Sequence, residues 1–252
     1  MHAQDNKWLM VINSGQHVRT RLICFPYDGG DPEQFRSWAA GLSDDIELVV
    51  LRLPGHGSRL DEVPYDQWAP LINDAFCALK PYLQEPHGFF GHSFGGRLAY
   101  EMAKLTQRHY PGQTRHLFIS GCRSPDSVQA LPHLHSLPAA DFRQTLLTRG
   151  AAPAEILNNE SWMQRFEPVI RSDLKLSELW PDQPAVRLDV PLTALYGSED
   201  SIDTAASMMN WHEYTHREFE LIEVAGGHFF VRSQRLRLLQ IINTHLGLLS
   251  SD

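Results

Sequence analysis

Ser93 is the residue whose setting most invites chemistry. It lies at the centre of Gly91-His92-Ser93-Phe94-Gly95, a G-x-S-x-G pattern between a predicted strand at 88–91 and a predicted helix from Phe94. A serine on a sharp strand-to-helix turn presents its hydroxyl above a sheet edge, and the flanking glycines let strand and helix approach more closely than a Cβ permits. The five-residue pattern is short enough to arise by chance; its position between strand and helix gives it weight. A serine hydroxyl is a poor nucleophile until a base takes its proton. Where such a serine tops a parallel sheet, the acid and then the histidine follow it along the chain. His228, in Gly226-Gly227-His228-Phe229-Phe230, follows the last predicted strand. His56 and His92 both precede Ser93 and fit that order less well. The penultimate strand runs into Gly197-Ser198-Glu199-Asp200, which makes Asp200 the preferred acid, with Glu199 and Asp203 as near alternatives and Asp126 as a remote one. Developing negative charge on a carbonyl oxygen needs two aimed N–H donors. Phe94, directly after the serine, should supply one. Pro26 has no N–H, so Tyr27 should supply the other, on a loop that Gly29 and Gly30 allow to bend.

The elements that must position these residues alternate. Strands are expected at 21–25, 46–53, 88–91, 117–120, 192–196 and 219–224, and helices at 33–42, 65–83, 94–106 and about 230–246. That rhythm gives an α/β-hydrolase fold: a mostly parallel central sheet with helices on both faces. Between 123 and 188 no strand is expected, only helices at 139–148, 154–157 and 161–180. The chain therefore divides into a core of 1–122 and 189–252 and a helical lid insertion of 123–188. Phe142, Leu146, Leu147, Trp162 and Phe166 are the lid residues that could line a substrate channel, or could pack the lid on the core.

Composition excludes several classes. The net charge of −8 disfavours nucleic acid and anionic membranes. No apolar run reaches membrane-spanning length, and the first eight residues lack a signal-peptide pattern. Three scattered cysteines, Cys24, Cys77 and Cys122, suit buried thiols in a reducing cytoplasm. His133 and His135 have no carboxylate or cysteine at ligand spacing nearby, so no metal is expected there.

Cys24-Phe25-Pro26-Tyr27-Asp28-Gly29-Gly30, Leu53-Pro54-Gly55, Gly91-His92-Ser93-Phe94-Gly95-Gly96, Leu195-Tyr196-Gly197-Ser198-Glu199-Asp200 and Gly226-Gly227-His228-Phe229-Phe230 together resemble the type II thioesterases of nonribosomal peptide and polyketide synthesis. Ser136-Leu137-Pro138-Ala139-Ala140-Asp141-Phe142 resembles that family's lid entrance. The resemblance covers nearly the whole chain. It implies hydrolysis of thioesters on the phosphopantetheine arm of acyl or peptidyl carrier proteins, with Ser93, Asp200 and His228 as catalytic residues and no cofactor of the enzyme's own. Two positions depart from the family pattern: Asp28 stands where a small residue is usual, and His56 where arginine is frequent. A carboxylate aimed at an oxyanion would oppose its charge, so Asp28 is expected to point away and take a loop N–H.

A carrier-protein partner is acidic, as is this chain. Seven basic and eight acidic residues lie between 123 and 188, so the lid is nearly neutral and docking there meets least repulsion. Arg143, Arg149 and Arg171 are the candidate docking residues. A freestanding protein is expected, since little chain precedes the first strand, and a monomer is the default expectation. A small-molecule esterase or acyl-CoA thioesterase would share the same residues, and an inactive binding protein on this scaffold would be expected to have lost one of them. A terminal cyclising thioesterase domain is close in mechanism.

Overall fold

A computed structural model describes residues 6–12, 18–127, 133–151, 154–180 and 186–247. Asp182, counted above among the lid charges, and Met1–Asp5 lie outside them. Seven strands make one sheet: β1 (Leu9–Ile12), β2 (Thr20–Phe25), β3 (Ile46–Leu51), β4 (His87–His92), β5 (Thr114–Ser120), β6 (Leu192–Gly197) and β7 (Phe219–Val224). Their spatial order is β1-β3-β2-β4-β5-β6-β7, with every pairing parallel except β1 against β3. The reversal of order around β2 and β4 opens a crevice at the carboxyl ends of these strands, where loops from both directions meet.

The inner strands are buried on both faces, which is why they read as unbroken apolar runs rather than as alternation. Ile23 and Phe25 point into a core shared with α1 (Trp68–Leu83) and α2 (Phe94–His109). Leu22 and Cys24 point the other way, against the 3₁₀ helix Pro32–Gly41 and the C-terminal helix. Between β5 and β6 come α3 (Ala139–Thr148), α4 (Ala154–Leu157) and α5 (Glu160–Glu178), and between β6 and β7 the short α6 (Ala205–Met209). Phe142, Leu146, Leu157 and Met163 form a separate apolar cluster among α3–α5. The Trp68 indole donates to the Leu176 carbonyl at 2.8 Å, tying α5 to α1.

Several expectations need correction. The four-residue β1 was not foreseen: it is an antiparallel edge strand too short to carry a pattern of its own. The segment 33–42 is 3₁₀ rather than α, capped by Asp31, which accepts from the Glu33 N–H at 2.9 Å. The last helix is two, α7 (Phe230–Ser233) and α8 (Arg235–Gly247), broken at Gln234. Cys24 and Cys122 are buried free thiols, but Cys77 is exposed. No helix of the described residues is long and apolar enough to cross a membrane.

Candidate active site

Ser93 ends β4 and begins α2 with φ 54° and ψ −118°, and among the described residues no other non-glycine has positive φ. That conformation is costly for a residue with a Cβ, and persists only where the surroundings over-determine it. Here they do. A Cβ on Gly91 would lie 2.0 Å from the Gly95 carbonyl oxygen, and one on Gly95 would lie 2.0 Å from that of Phe25. The glycines let β2, β4 and the first turn of α2 close on one another, and Ser93 is lifted out at the junction. The positive end of the α2 dipole lies beneath its hydroxyl.

The chain brings His228 and Asp200 to the same point. His228 Nε2 is 3.2 Å from Ser93 Oγ, and His228 Nδ1 is 2.9 Å from Asp200 Oδ2. A carboxylate only accepts, so Nδ1 carries the hydrogen and Nε2 offers its lone pair to the serine. Asp200 is itself held by the N–H groups of Ile202 (2.8 Å) and Asp203 (3.1 Å) on its other oxygen. Burial pushes the Asp200 carboxyl up; the His228 hydrogen bond and charge and these two N–H groups bring it below the ordinary range. Burial pulls the His228 imidazolium down, and the Asp200 hydrogen bond with the charges of Asp203, Asp200 and Asp28 outweighs it, leaving His228 raised. The two loops are tied together: Glu199 N–H donates to the Gly226 carbonyl (2.9 Å) and Gly226 N–H to Ser198 Oγ (3.1 Å).

The other candidates lie elsewhere. Asp203 pairs with Arg123 at 2.7 Å and its second oxygen is 3.9 Å from His228 Nδ1. Asp126 accepts from Ser124 Oγ. The His92 ring bonds Ser120 Oγ at 2.9 Å, and burial holds it far below the ordinary imidazole range. His56 pairs with Asp173 of α5 at 2.7 Å. The Tyr27 and Phe94 amides have no hydrogen-bond partner among the described residues; Phe94 directly follows Ser93, and Tyr27 lines the same cavity as Ser93. Asp28 does not point away as expected. Its Oδ2 accepts from Ser93 Oγ at 3.0 Å and its Oδ1 from Ser177 Oγ at 2.8 Å. The N–H that follows it in the loop, that of Gly29, goes to Asp173 at 2.7 Å, and the Asp28 side chain turns inward.

A thioesterase domain family model matches residues 20–246. The chain belongs to the thioesterase domain family. It is 32% identical over 97% of its length to a Brevibacillus parabrevis protein named linear gramicidin dehydrogenase LgrE, of which 94% is covered. Whatever that name assigns to LgrE, the family model matching this chain is a thioesterase's. Among solved structures, RedJ, the thioesterase from the prodiginine pathway of Streptomyces coelicolor, is 35% identical with a TM-score of 0.84, over 90% of this chain and 91% of that one. The type II thioesterase BorB from the borrelidin biosynthetic cluster is 27% identical with a TM-score of 0.87, over 97% of this chain and all (100%) of that one.

In this thioesterase a cavity of about 550 Å³ opens beside Ser93 and His228 and runs under α3–α5. Leu146, Trp162 and Phe166 line it as expected; Trp162 and Phe166 stack at 4.7 Å. Phe142 does not: it is fully buried in the α3–α5 cluster, with the Arg171 guanidinium 3.9 Å from its ring centroid. Leu147 faces outward. Met163, Ile170, Leu157 and Leu174 line the wall and were not singled out; their spacing on α4 and α5 serves core packing equally well, so periodicity could not separate them.

The expected docking arginines are likewise redistributed. Arg143 is taken by Glu160 (2.7 Å) and Glu167 (3.3 Å), and Arg171 by Glu167 (2.8 Å) and the His135 carbonyl (2.8 Å). They brace the insertion internally. Arg149 is half-buried in the cavity wall, not on an outer face. Glu178 of α5 supplies the carboxylate that the sequence around His133 and His135 lacks: it bonds His135 Nδ1 and the Leu134 N–H (2.6 Å), with His133 Nδ1 at 3.6 Å. The three form a group of metal-ligand type, with ligand atoms within 4.8 Å of one another.

Proposed function

We propose that this thioesterase is a type II editing enzyme, which removes aberrant or stalled acyl groups from the phosphopantetheine arm of acyl or peptidyl carrier proteins in nonribosomal peptide or polyketide synthesis. The observation that carries the reading is the line Asp200–His228–Ser93 at the mouth of a largely apolar cavity. Names such as BorB's type II thioesterase support the editing role. The neutral His228 takes the Ser93 proton at Nε2 as Oγ attacks the thioester carbonyl. The Tyr27 and Phe94 amides hold the oxyanion. As the tetrahedral centre collapses, the carbon–sulfur bond breaks and His228 returns the proton to the leaving pantetheine sulfur. A water molecule then repeats the sequence on acyl-Ser93, releasing the acid and restoring the serine. The α3–α5 insertion serves as a lid over the cavity, and its opening admits the arm. The enzyme acts as a cytoplasmic monomer needing no cofactor, the arm being part of the substrate.

The test offers one acyl group on a carrier protein, on coenzyme A and as an aryl ester. The expected result is highest kcat/KM on the carrier and loss of all three activities in Ser93→Ala. Preference for the aryl ester would move the assignment to a small-molecule esterase.

A further inference from the structure

Asp28 occupies a position that the hydrolytic machinery alone does not require. It lies on the loop carrying the proposed oxyanion donor Tyr27, and lines the same cavity as Ser93. The side-chain groups that hold its two oxygens, among the described residues, are the hydroxyls of Ser93 and Ser177, and its own backbone N–H also favours the charged form. Among the described residues no cation pairs with it. The cationic side chain that most affects it, Arg97, is committed elsewhere, to the Ser177 carbonyl (3.2 Å), the Cys122 sulfur (3.2 Å) and the face of Trp180. Asp173, on its other side, adds a like charge. A half-buried carboxylate that lines the cavity with no cation in ion-pair contact among the described residues can accept a positively charged group. Burial and the Asp173 charge accordingly raise the Asp28 carboxyl above its ordinary range.

Left ionised and unpaired, Asp28 would oppose the oxyanion that forms beside it, and it competes with His228 for the single proton of Ser93. Both faults disappear if the substrate brings the missing cation. Once the acyl carbon is bonded to Oγ, ordinary bond lengths put a nitrogen on the α-carbon about 3–4 Å from Oγ. Asp28 Oδ2 is 3.0 Å from that same oxygen. Rotation about the bond between the carbonyl carbon and the α-carbon can bring an α-ammonium group within ion-pair reach of the half-buried carboxylate. Beyond this point the wall is apolar, formed by Leu146, Leu157, Trp162, Met163, Phe166 and Ile170.

We propose that Asp28 is a specificity-determining residue that binds the protonated α-amino group of the substrate, so that the preferred substrates are α-aminoacyl thioesters with apolar side chains. This rests on the reading of Ser93 as nucleophile. The carboxylate acts as a two-sided filter: it favours an acyl group carrying an α-ammonium, and it penalises the same group without one, because the negative charge beside the oxyanion is then left uncompensated. A plain carbonyl-recognition site would give the first effect at most.

The test compares leucyl-pantetheine with 4-methylpentanoyl-pantetheine, which differ only in the α-amino group, on the full-length chain. The wild type should favour the leucyl thioester by about 10- to 100-fold in kcat/KM, the size of the loss of one hydrogen bond to a charged group. Asp28→Asn, which keeps the shape and one acceptor, should lower leucyl turnover by about tenfold or more while leaving or raising 4-methylpentanoyl turnover, so that the ratio collapses. A wild-type ratio near one overturns the proposal and needs no variant to fold. So does an Asp28→Asn variant that slows both substrates alike, since that is the signature of a loop merely held in place. Ser93→Ala is run beside them: turnover retained there removes the nucleophile reading and this inference together, whereas a dead Ser93→Ala with an unmoved ratio removes this inference alone.

Discussion

Among the described residues, two buried histidine–aspartate pairs have opposite wiring. In one, His228 gives Nδ1 to Asp200 and turns Nε2 to the Ser93 hydroxyl, a group that can donate to it. In the other, His56 gives Nε2 to Asp173 at 2.7 Å, while Nδ1 faces the Pro54 carbonyl at 3.0 Å. A carbonyl has no proton to give, so both nitrogens of His56 donate and the ring is closed as a base. Burial pulls the His56 imidazolium down, and the Asp173 charge and hydrogen bond more than offset this, as at the active site. Two imidazoles with raised proton affinity thus do different things, and the difference lies in what the second nitrogen meets. His228 can pass a proton on. His56 holds its proton and joins the loop after β3 to α5, and through Asp173 to the Gly29 amide beside Tyr27.

Breaking the first pair should have the largest effect on rate. His228→Ala is expected to lower kcat by about 10⁴- to 10⁶-fold, measured on the folded fraction with any accepted thioester. Asp200→Asn should cost about 10⁴-fold. It should also move the acid limb of the kcat/KM profile to lower pH. The base must be neutral to act, its raised proton affinity places that limb above pH 6.5, and loss of Asp200 removes the main cause of the rise. Breaking the second pair should fall mainly on stability. His56→Ala leaves Asp173 buried without its partner and should destabilise the fold by about 3–5 kcal/mol in denaturant melts. The activity of its folded fraction should fall far less than that of Asp200→Asn. A histidine whose folded affinity exceeds its unfolded one stabilises most below the unfolded pKa and loses that contribution as pH rises through the folded one. Wild-type stability should therefore decline on the alkaline side of pH 6.5, with part of the slope removed in His56→Ala and another part in His228→Ala. The smallest effect is expected at Arg143→Gln: a half-buried arginine paired within the insertion, to the exposed Glu160 and to Glu167, should leave carrier-bound turnover unchanged and melting temperature nearly so.

The same contrast explains what the sequence could yield. Ser93, His228 and Asp200 each sit at the end of a strand, in a glycine-marked loop, so their meeting follows from strand order alone. The fold was legible for the same reason: inner parallel strands announce themselves as apolar runs. His56–Asp173, Asp28–Ser177 and His135–Glu178 each join the core loops or the chain before α3 to α5, across long stretches of sequence, and nothing in local spacing signals such a pairing. Asp28 is expected to turn outward because a carboxylate would oppose the oxyanion; local sequence does not show that Asp173, 144 positions away, takes the Gly29 amide or that Ser177 offers Asp28 a hydroxyl. The docking arginines failed likewise, since a charge count over 123–188 does not show that Glu160 and Glu167 consume Arg143. β1 and α6 are four and five residues long, below the length at which periodicity is distinguishable from chance.

Labelling with a fluorophosphonate probe, followed by peptide mass mapping, tests the assignment most directly, because it asks which hydroxyl is activated and by which histidine. The adduct should map to Ser93 in the wild type and form at a comparable rate in His56→Ala kept below its melting temperature, but form very slowly in His228→Ala and not at all in Ser93→Ala. An adduct on another residue, or labelling of His228→Ala as fast as wild type, would contradict the account.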